Sequence, residues 1–299
     1  MSYPEPVRGH YEKWPFPDVS FAGREGLILL KYLRETLKQA SEKELKVIDV
    51  GCGTGQGTIA IASHFTNVRF VGLDLSATSI QRANANAKQK RLENITFIQG
   101  DILDRDRLPA DIFELVISTG VLHHIKNVDE AFSNLLSLLK HDGTIILWLY
   151  GRHGRTRHSL NQAFIETLAH GESLEKREHI AVEFIDQLGR QFADNSGFYT
   201  PCGSGVDGLE WLMKNRQWLT DQMIPPYEYC YTMEEILSLF RSHGINFEKW
   251  LGVAAELDTY TSSAILIDQF RQLSLEKRLI AIDYLIKPEY YFVSGKRGD

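Results

Sequence analysis

Three aspartates, a run of glycines, a histidine pair and an arginine-rich stretch carry most of the chemistry this sequence could perform. The glycines stand at alternate positions, 51, 53, 55 and 57, in VIDVGCGTGQG, directly after an apolar run that contains Asp49. Glycine turns that follow a strand cradle phosphates, dinucleotides or sulfonium nucleosides. Asp74 lies near the end of VRFVGLDL, 19 residues past Gly55, and Asp101 closes NITFIQGD. An acid at the first of these places accepts hydrogen bonds from both ribose hydroxyls, as in dinucleotide folds. STGVLHHI puts His123 and His124 after another apolar run, where an imidazole that titrates near neutrality can serve as general base. GRHGRTRH (151–158) offers Arg152, Arg155 and Arg157 for gripping a carboxylate or phosphate, bidentately by arginine. Each feature has a plainer reading: strand-end aspartates that form turns, histidines that pack or cap, and a solvated basic helix start.

These residues need a scaffold that brings strand ends together. LKVIDV (45–50), VRFVGLDL (68–75), NITFIQGD (94–101), FELVISTG (113–120) and TIILWLY (144–150) read as strands. Helical segments alternate with them: TIAIASHF, the segment beginning SATSIQ with Ser76 as N-cap, and VDEAFSNLLSLLK ending near Asp142-Gly143. Such alternation predicts a parallel, doubly wound sheet whose site lies at the carboxyl ends of the strands. GLILLKYLRETLK (26–38) has helical spacing before the first strand. After Tyr150 the period is mainly helical through 230, interrupted by Gly, Ser and Pro at 196–205, as expected for an inserted helical cap. TMEEILSLFRSHG (232–244) is a helix with Thr232 and Glu235 spaced as a capping box. NFEKWLG, LEKRLIAIDYLI and EYYFVSG (289–295) complete the pattern as strand, helix and strand. The expected divisions are 1–44, an arm and helix; 45–150, the nucleoside-binding core; 151–230, the cap; and 231–299, completion of the sheet.

Bulk properties exclude several classes. A net charge of −6 leaves no basic field for nonspecific binding to nucleic acid. Cys52, Cys202 and Cys230 are odd in number and lack CxxC spacing, which disfavours a disulfide framework or a thiolate zinc site. Adjacent His123 and His124 point apart and have no evident third ligand, so no metal is expected. No apolar run is long enough to span a bilayer, and the N-terminus is no signal peptide. A cytoplasmic protein is the expectation, with no nucleic-acid or membrane partner. Tyr3, Tyr11, Trp14 and Phe16 in the first 20 residues argue for an ordered arm laid on the body rather than a disordered tail.

The glycine turn can be sorted further. A G-x-G-x-x-G dinucleotide fingerprint started at Gly51 meets Gln56, and one started at Gly53 meets Thr58; no Lys-Ser/Thr follows for a P-loop. D-x-G-x-G-x-G resembles the signature of the Rossmann-like (class I) S-adenosylmethionine (SAM) methyltransferases. That resemblance implies an α/β, doubly wound, mostly parallel seven-stranded sheet, SAM as cofactor and S-adenosylhomocysteine as product. It implies cofactor contacts from Asp49, Gly51, Cys52, Gly53 and Gly55. Asp74 with Leu75, Asp101 with Ile102 beside the adenine, and Thr119 at the fourth strand's end complete the implied set. STGVLHHI occupies the place that faces the cofactor's methyl group. N/D-PP-Y, which DNA- and protein-N-methylating relatives carry there, is absent, and IPPY at 224–227 reads as a turn near the cap. VLHH is common in relatives that methylate small molecules, which makes His123 the candidate base.

YEKWPFP (11–17), LYGRHGR (149–155) and YTMEEILSLFRSHGINFEKW (231–250) resemble segments of a bacterial subgroup of these enzymes, some fused to tetratricopeptide repeats. No repeat array occurs in this chain. The expected function is methyl transfer to a small or peptide-like acceptor, anionic if Arg152 grips it, with Tyr11, Trp14, His124, Tyr150 and Arg152 as candidate contacts. The rival is a SAM-binding sensor or partner-binding subunit without methyl transfer; a nicotinamide oxidoreductase is a weaker one.

Overall fold

The computed structural model describes residues 5–16, 24–38, 45–192 and 206–298. Tyr3, Cys202 and the interruption expected at 196–205 lie outside them. Seven strands form one sheet in the order β3-β2-β1-β4-β5-β7-β6. They are β1 (Leu45–Val50), β2 (Val68–Asp74), β3 (Ile95–Gln99), β4 (Phe113–Thr119), β5 (Leu139–Tyr150), β6 (Ile245–Trp250) and β7 (Tyr290–Arg297). The first five pair in parallel, and β7 runs antiparallel to both β5 and β6. This is the mostly parallel α/β sheet that the alternation predicts.

Period-two alternation explains why both faces are covered. Ile48, Val50, Val116, Ile145, Leu147 and Leu149 enter one core with α5 (Val128–Leu138), α11 (Met233–Ser242) and α13 (Leu275–Ile286). Val47, Phe70, Leu115, Ile117, Ile146 and Trp148 enter the other with α2 (Arg24–Lys38) and α3 (Gln56–Ala62). Phe97, Cys52 and Ile59 pack with Ile80 and Ala83 of α4 (Ala77–Gln89). A separate small core unites Ile165 of α6 (Arg152–Leu168), Ala181 of α7 (Leu174–Glu183), Leu209 and Leu212 of α9 (Val206–Lys214), and Trp218 and Leu219 of α10 (Arg216–Met223). Between α7 and α9 the chain continues through a wide helical turn, Phe184–Leu188, into α8 (Gly189–Phe192). No helix among the described residues is long and apolar enough to cross a membrane.

Local signals hold where a side chain makes the cap. Ser76 Oγ accepts from the Ser79 N–H, and Thr232 with Glu235 closes a full capping box. Elements set by tertiary contact depart from the expectation. The N-terminal arm is itself helical, α1 (Glu5–Lys13). β5 begins at Leu139, where Leu139 pairs with Phe113 before a register shift; Asp142 there adopts a left-handed φ of 67°. α12 (Ala264–Arg271) stands between β6 and α13, with only Phe270 of its side chains buried.

Candidate functional site

The chain leaves β1 through a turn that only glycine allows cheaply. Gly51, Gly53 and Gly55 hold φ of 82°, 53° and 76°, a region costly for residues with a Cβ. A Cβ on Gly51 would stand 2.1 Å from Val121 Cγ2, and one on Gly55 would stand 2.7 Å from Phe97 Cζ. The turn is tied to the next strand: Gly51 and Cys52 N–H groups donate to the Leu73 carbonyl at 2.7 and 3.1 Å. The Cys52 side chain packs into the α3–α4 core, with its Sγ 3.7 Å from the Gly53 carbonyl oxygen.

Asp49 sits beneath this turn with one oxygen used and one idle. Thr58 Oγ1 donates to Oδ2 at 2.6 Å, whereas buried Oδ1 has no hydrogen-bond partner among the described residues. Burial pushes its carboxyl up to about 6; the Thr58 bond opposes the shift and the charge of Asp74 adds to it. A buried acceptor left open costs free energy unless something completes it. Its surroundings suit a cationic donor.

Asp74 closes the turn from β2. Its Oδ2 accepts from the Gly53 N–H at 2.8 Å and its Oδ1 from the Ser76 N–H at 2.9 Å. Burial raises this carboxyl to about 6 as well, against those two bonds. Each oxygen retains a lone pair for a further donor. After β3, Asp101 is buried and accepts from the Leu103 N–H at 2.9 Å, with Arg8 Nη2 3.6 Å away. Ile102 is buried, its carbonyl held by Asn134 Nδ2; Leu75 is half-buried against the same core. Thr119 ends β4 opposite Trp148, and the following Gly120 has φ 76° with open space where its Cβ would be.

α1 lies over these strand ends. Glu12 accepts from the Ala77 and Thr78 N–H groups at 2.7 and 3.2 Å and from Thr78 Oγ1 at 2.7 Å, so the arm caps α4 with a carboxylate. Thr54 N–H, inside the glycine turn, donates to the Phe16 carbonyl at 3.3 Å. Tyr11 OH donates to Asp221 Oδ1 of α10 at 3.1 Å. One short segment therefore touches the turn, α4, Asp101 and α10 together.

Beside the arm a cluster of buried rings joins the ends of β4 and β5. His123 stacks on Tyr150 with centroids 4.1 Å apart, and His124 lies 4.3 Å from His123. His124 Nδ1 is 2.8 Å from the Tyr227 carbonyl, and its Nε2 is 4.0 Å from Asp221 Oδ1. Trp14 meets His10 at 5.1 Å, and His10 meets Tyr11 at 5.2 Å. Burial first, then the charges of His124 and Arg155, hold His123 well below the usual imidazole range; burial brings His10 down to about 3. The Nδ1 atoms of both rings are buried and have no hydrogen-bond partner among the described residues. This arrangement presents neutral imidazole nitrogens near the carboxyl edge of the sheet.

Tyr11, Trp14, His123, His124 and Tyr150 thus share one region. Arg152 is engaged elsewhere: it bonds the Cys230 carbonyl at 3.1 Å, Tyr229 OH at 2.7 Å and Glu235 at 2.8 Å, with 42% of its side chain exposed. Asp221, Gln222, Glu228 and His10 match no spaced motif, and Glu12, although inside YEKWPFP, shows its role only through its bonds to the start of α4. Arg155 carries a signal that was available. Extending α6 back to Arg152 puts Arg155, His158, Asn161 and Ile165 on its buried face, at helical spacing.

Residues 41–187 match a family model described as a methyltransferase domain. The chain is 28% identical over 152 residues to malonyl-[acyl-carrier protein] O-methyltransferase of Paenibacillus, covering 50% of this chain and 54% of that protein. It is 28% identical over 180 residues to trans-aconitate 2-methyltransferase of Deinococcus radiodurans, covering 56% and 67%. PKMT2 from Rickettsia typhi, solved in complex with AdoHcy, has the same fold at a TM-score of 0.68 and 16% identity. That match covers 95% of this chain and 56% of the other. The chain spans only about half the length of the first curated relatives it matches, with shares of 54%, 58% and 41%.

Proposed function

We propose that this protein, whose residues 41–187 match a family model described as a methyltransferase domain, binds SAM at the turn after β1 and transfers its methyl group to an acceptor held beneath α1. The observation that carries the proposal is the idle Oδ1 of buried Asp49 under three left-handed glycines. SAM supplies, when bound, a methyl group already activated on a sulfonium. Asp49 accepts from the amino group, directly or through the turn, while the glycines leave room for the methionine portion. Asp74 takes the ribose hydroxyls on its remaining lone pairs. Asp101 takes the adenine amino group, with Ile102 and Leu75 along the ring.

Direct displacement needs alignment and, for a protic acceptor, removal of one proton. His123 is the candidate for that task because its Nδ1 is unpartnered among the described residues and its ring lies at the end of β4. With SAM bound, Nδ1 would take the proton of a protic acceptor while the methyl group leaves the sulfonium, S-adenosylhomocysteine being the leaving group. A neutral acceptor fits the cluster better than an anionic one, since Arg152 already faces Glu235 and Arg155 faces Glu228.

Labelled-methyl SAM incubated with fractionated cell extract tests this reading. Label should enter a small-molecule or peptide fraction, and His123→Gln should slow transfer by about 10²–10⁴-fold without loss of SAM binding. Equal transfer by the variant removes His123 from the chemistry; no transfer with intact SAM binding removes the activity.

A further inference from the structure

Arg155 is the largest fully buried side chain among the described residues, and the methyl-transfer chemistry leaves it unused. Burying a guanidinium is costly unless it is paired. Here Nη2 faces Glu228 at 3.3 and 3.4 Å and Nη1 donates to Gln222 Oε1 at 3.3 Å. The guanidinium also lies over the Tyr150 ring, 3.6 Å from its centroid. His123 stacks on the same ring at 4.1 Å with planes 29° apart. Two planar groups that close to one ring centroid cannot share a face, so Tyr150 is sandwiched between them.

The rest of the fold secures this column. Gln222 Nε2 donates to Tyr150 OH at 2.7 Å, which fixes the ring's rotation. A Cβ on Gly151 would stand 2.2 Å from the Pro288 carbonyl oxygen, and one on Gly154 would stand 2.5 Å from the Glu289 nitrogen. The first turn of α6 is thereby pressed onto the entry to β7, and Arg155 is directed inward from it.

We propose that Arg155 is a positioning residue for His123, acting through Tyr150: the guanidinium fixes the ring and the ring fixes the imidazole. The assignment rests on the reading of His123 as the base. The guanidinium charge also disfavours protonation of the imidazole, in the same direction as burial and His124. The other groups around the imidazole are Tyr150 and Trp148 from β5, and His124 on its own segment. His10 and Tyr11 of α1 and Asp221 of α10 lie beside His124, and Glu228 and Glu289 face Arg155. A lysine would keep the charge and lose the flat, forked contact.

Imidazole NMR of the full chain tests this without any methyl acceptor and without SAM, so its failure is separable from failure of the methyltransferase reading. Three proteins are compared: the wild type, Arg155→Lys, and Arg155→Met combined with Glu228→Gln, which removes the Glu228 carboxylate together with its guanidinium partner. In the double variant the His123 titration midpoint should rise, and its ring protons should lose the upfield shift of stacking. Arg155→Lys should keep the low midpoint but lose the upfield shift, a split that a purely structural role would not produce. Identical His123 shifts and titration in wild type and both cooperatively melting variants would overturn the proposal. If the double variant does not fold, Arg155→Lys alone decides through the stacking shift.

Discussion

Replacing Asp49 by asparagine separates the two demands placed on that carboxyl. Its pKa is raised from 3.8 to about 6, first by burial and further by Asp74, against the bond from Thr58. The folded value lies above the unfolded one, so the folded state holds the proton more tightly between them. The associated stability is complete below the unfolded pKa and is lost as pH rises through 6. At 1.36 kcal/mol per unit, a shift of about two units amounts to about 3 kcal/mol. Asp49→Asn escapes that loss and can still accept from Thr58. Its idle amide costs about 1–3 kcal/mol, and that cost does not depend on pH. The expected outcome is therefore a trend. In urea unfolding without ligand, the variant gains about 2.4 kcal/mol on the wild type between pH 4 and pH 7. SAM affinity should move the other way, falling by about 10- to 150-fold through loss of a charged acceptor worth about 1.5–3 kcal/mol. A stability difference that stays flat with pH would refute the account of burial, and unchanged SAM affinity would refute the assignment of Asp49.

Gly51→Ala should destabilise the fold by about 1–2 kcal/mol through its left-handed backbone, with about 1–3 kcal/mol more from the clash with Val121; an unchanged urea midpoint contradicts this. Glu12→Gln should speed hydrogen exchange at the Ala77 and Thr78 amides by an amount equivalent to about 1 kcal/mol, and unaltered exchange would mean that the arm is not latched there. Burial works against ionisation of Glu12, but its bonds from Thr78 and Ala77 prevail and lower its pKa, so the latch is full above the unfolded pKa and weakens as pH falls. Arg152→Ala should cost at most about 1 kcal/mol, as exposed ion pairs do, and leave methyl transfer intact; a large loss of transfer would return Arg152 to the acceptor site.

The legible parts of this chain were those encoded locally. Buried strand runs, the caps at Ser76 and Thr232, and the glycine turn each carry their cause within a few residues, so strand order apart, the sheet could be read directly. Asp49, Asp74 and Asp101 were identifiable because each lies at or near a strand end. Their partners were not: Arg8, beside Asp101, comes from the arm, and the idle oxygen of Asp49 appears only once Thr58 is placed. Arg152 drew attention as the first charge after β5, yet helix geometry turns it toward Glu235 and sends Arg155 inward. Asp221 and Gln222 sit in an otherwise ordinary helix end, and only the fold brings them beside Tyr11 and Tyr150.

Titration calorimetry of the full chain with SAM, and separately with NAD, tests the central claim most directly. The account predicts saturable one-to-one binding of SAM, weakened by Asp49→Asn and by Asp74→Asn, and no binding of NAD. Absence of SAM binding by the folded wild type, or binding that neither substitution alters, would contradict it.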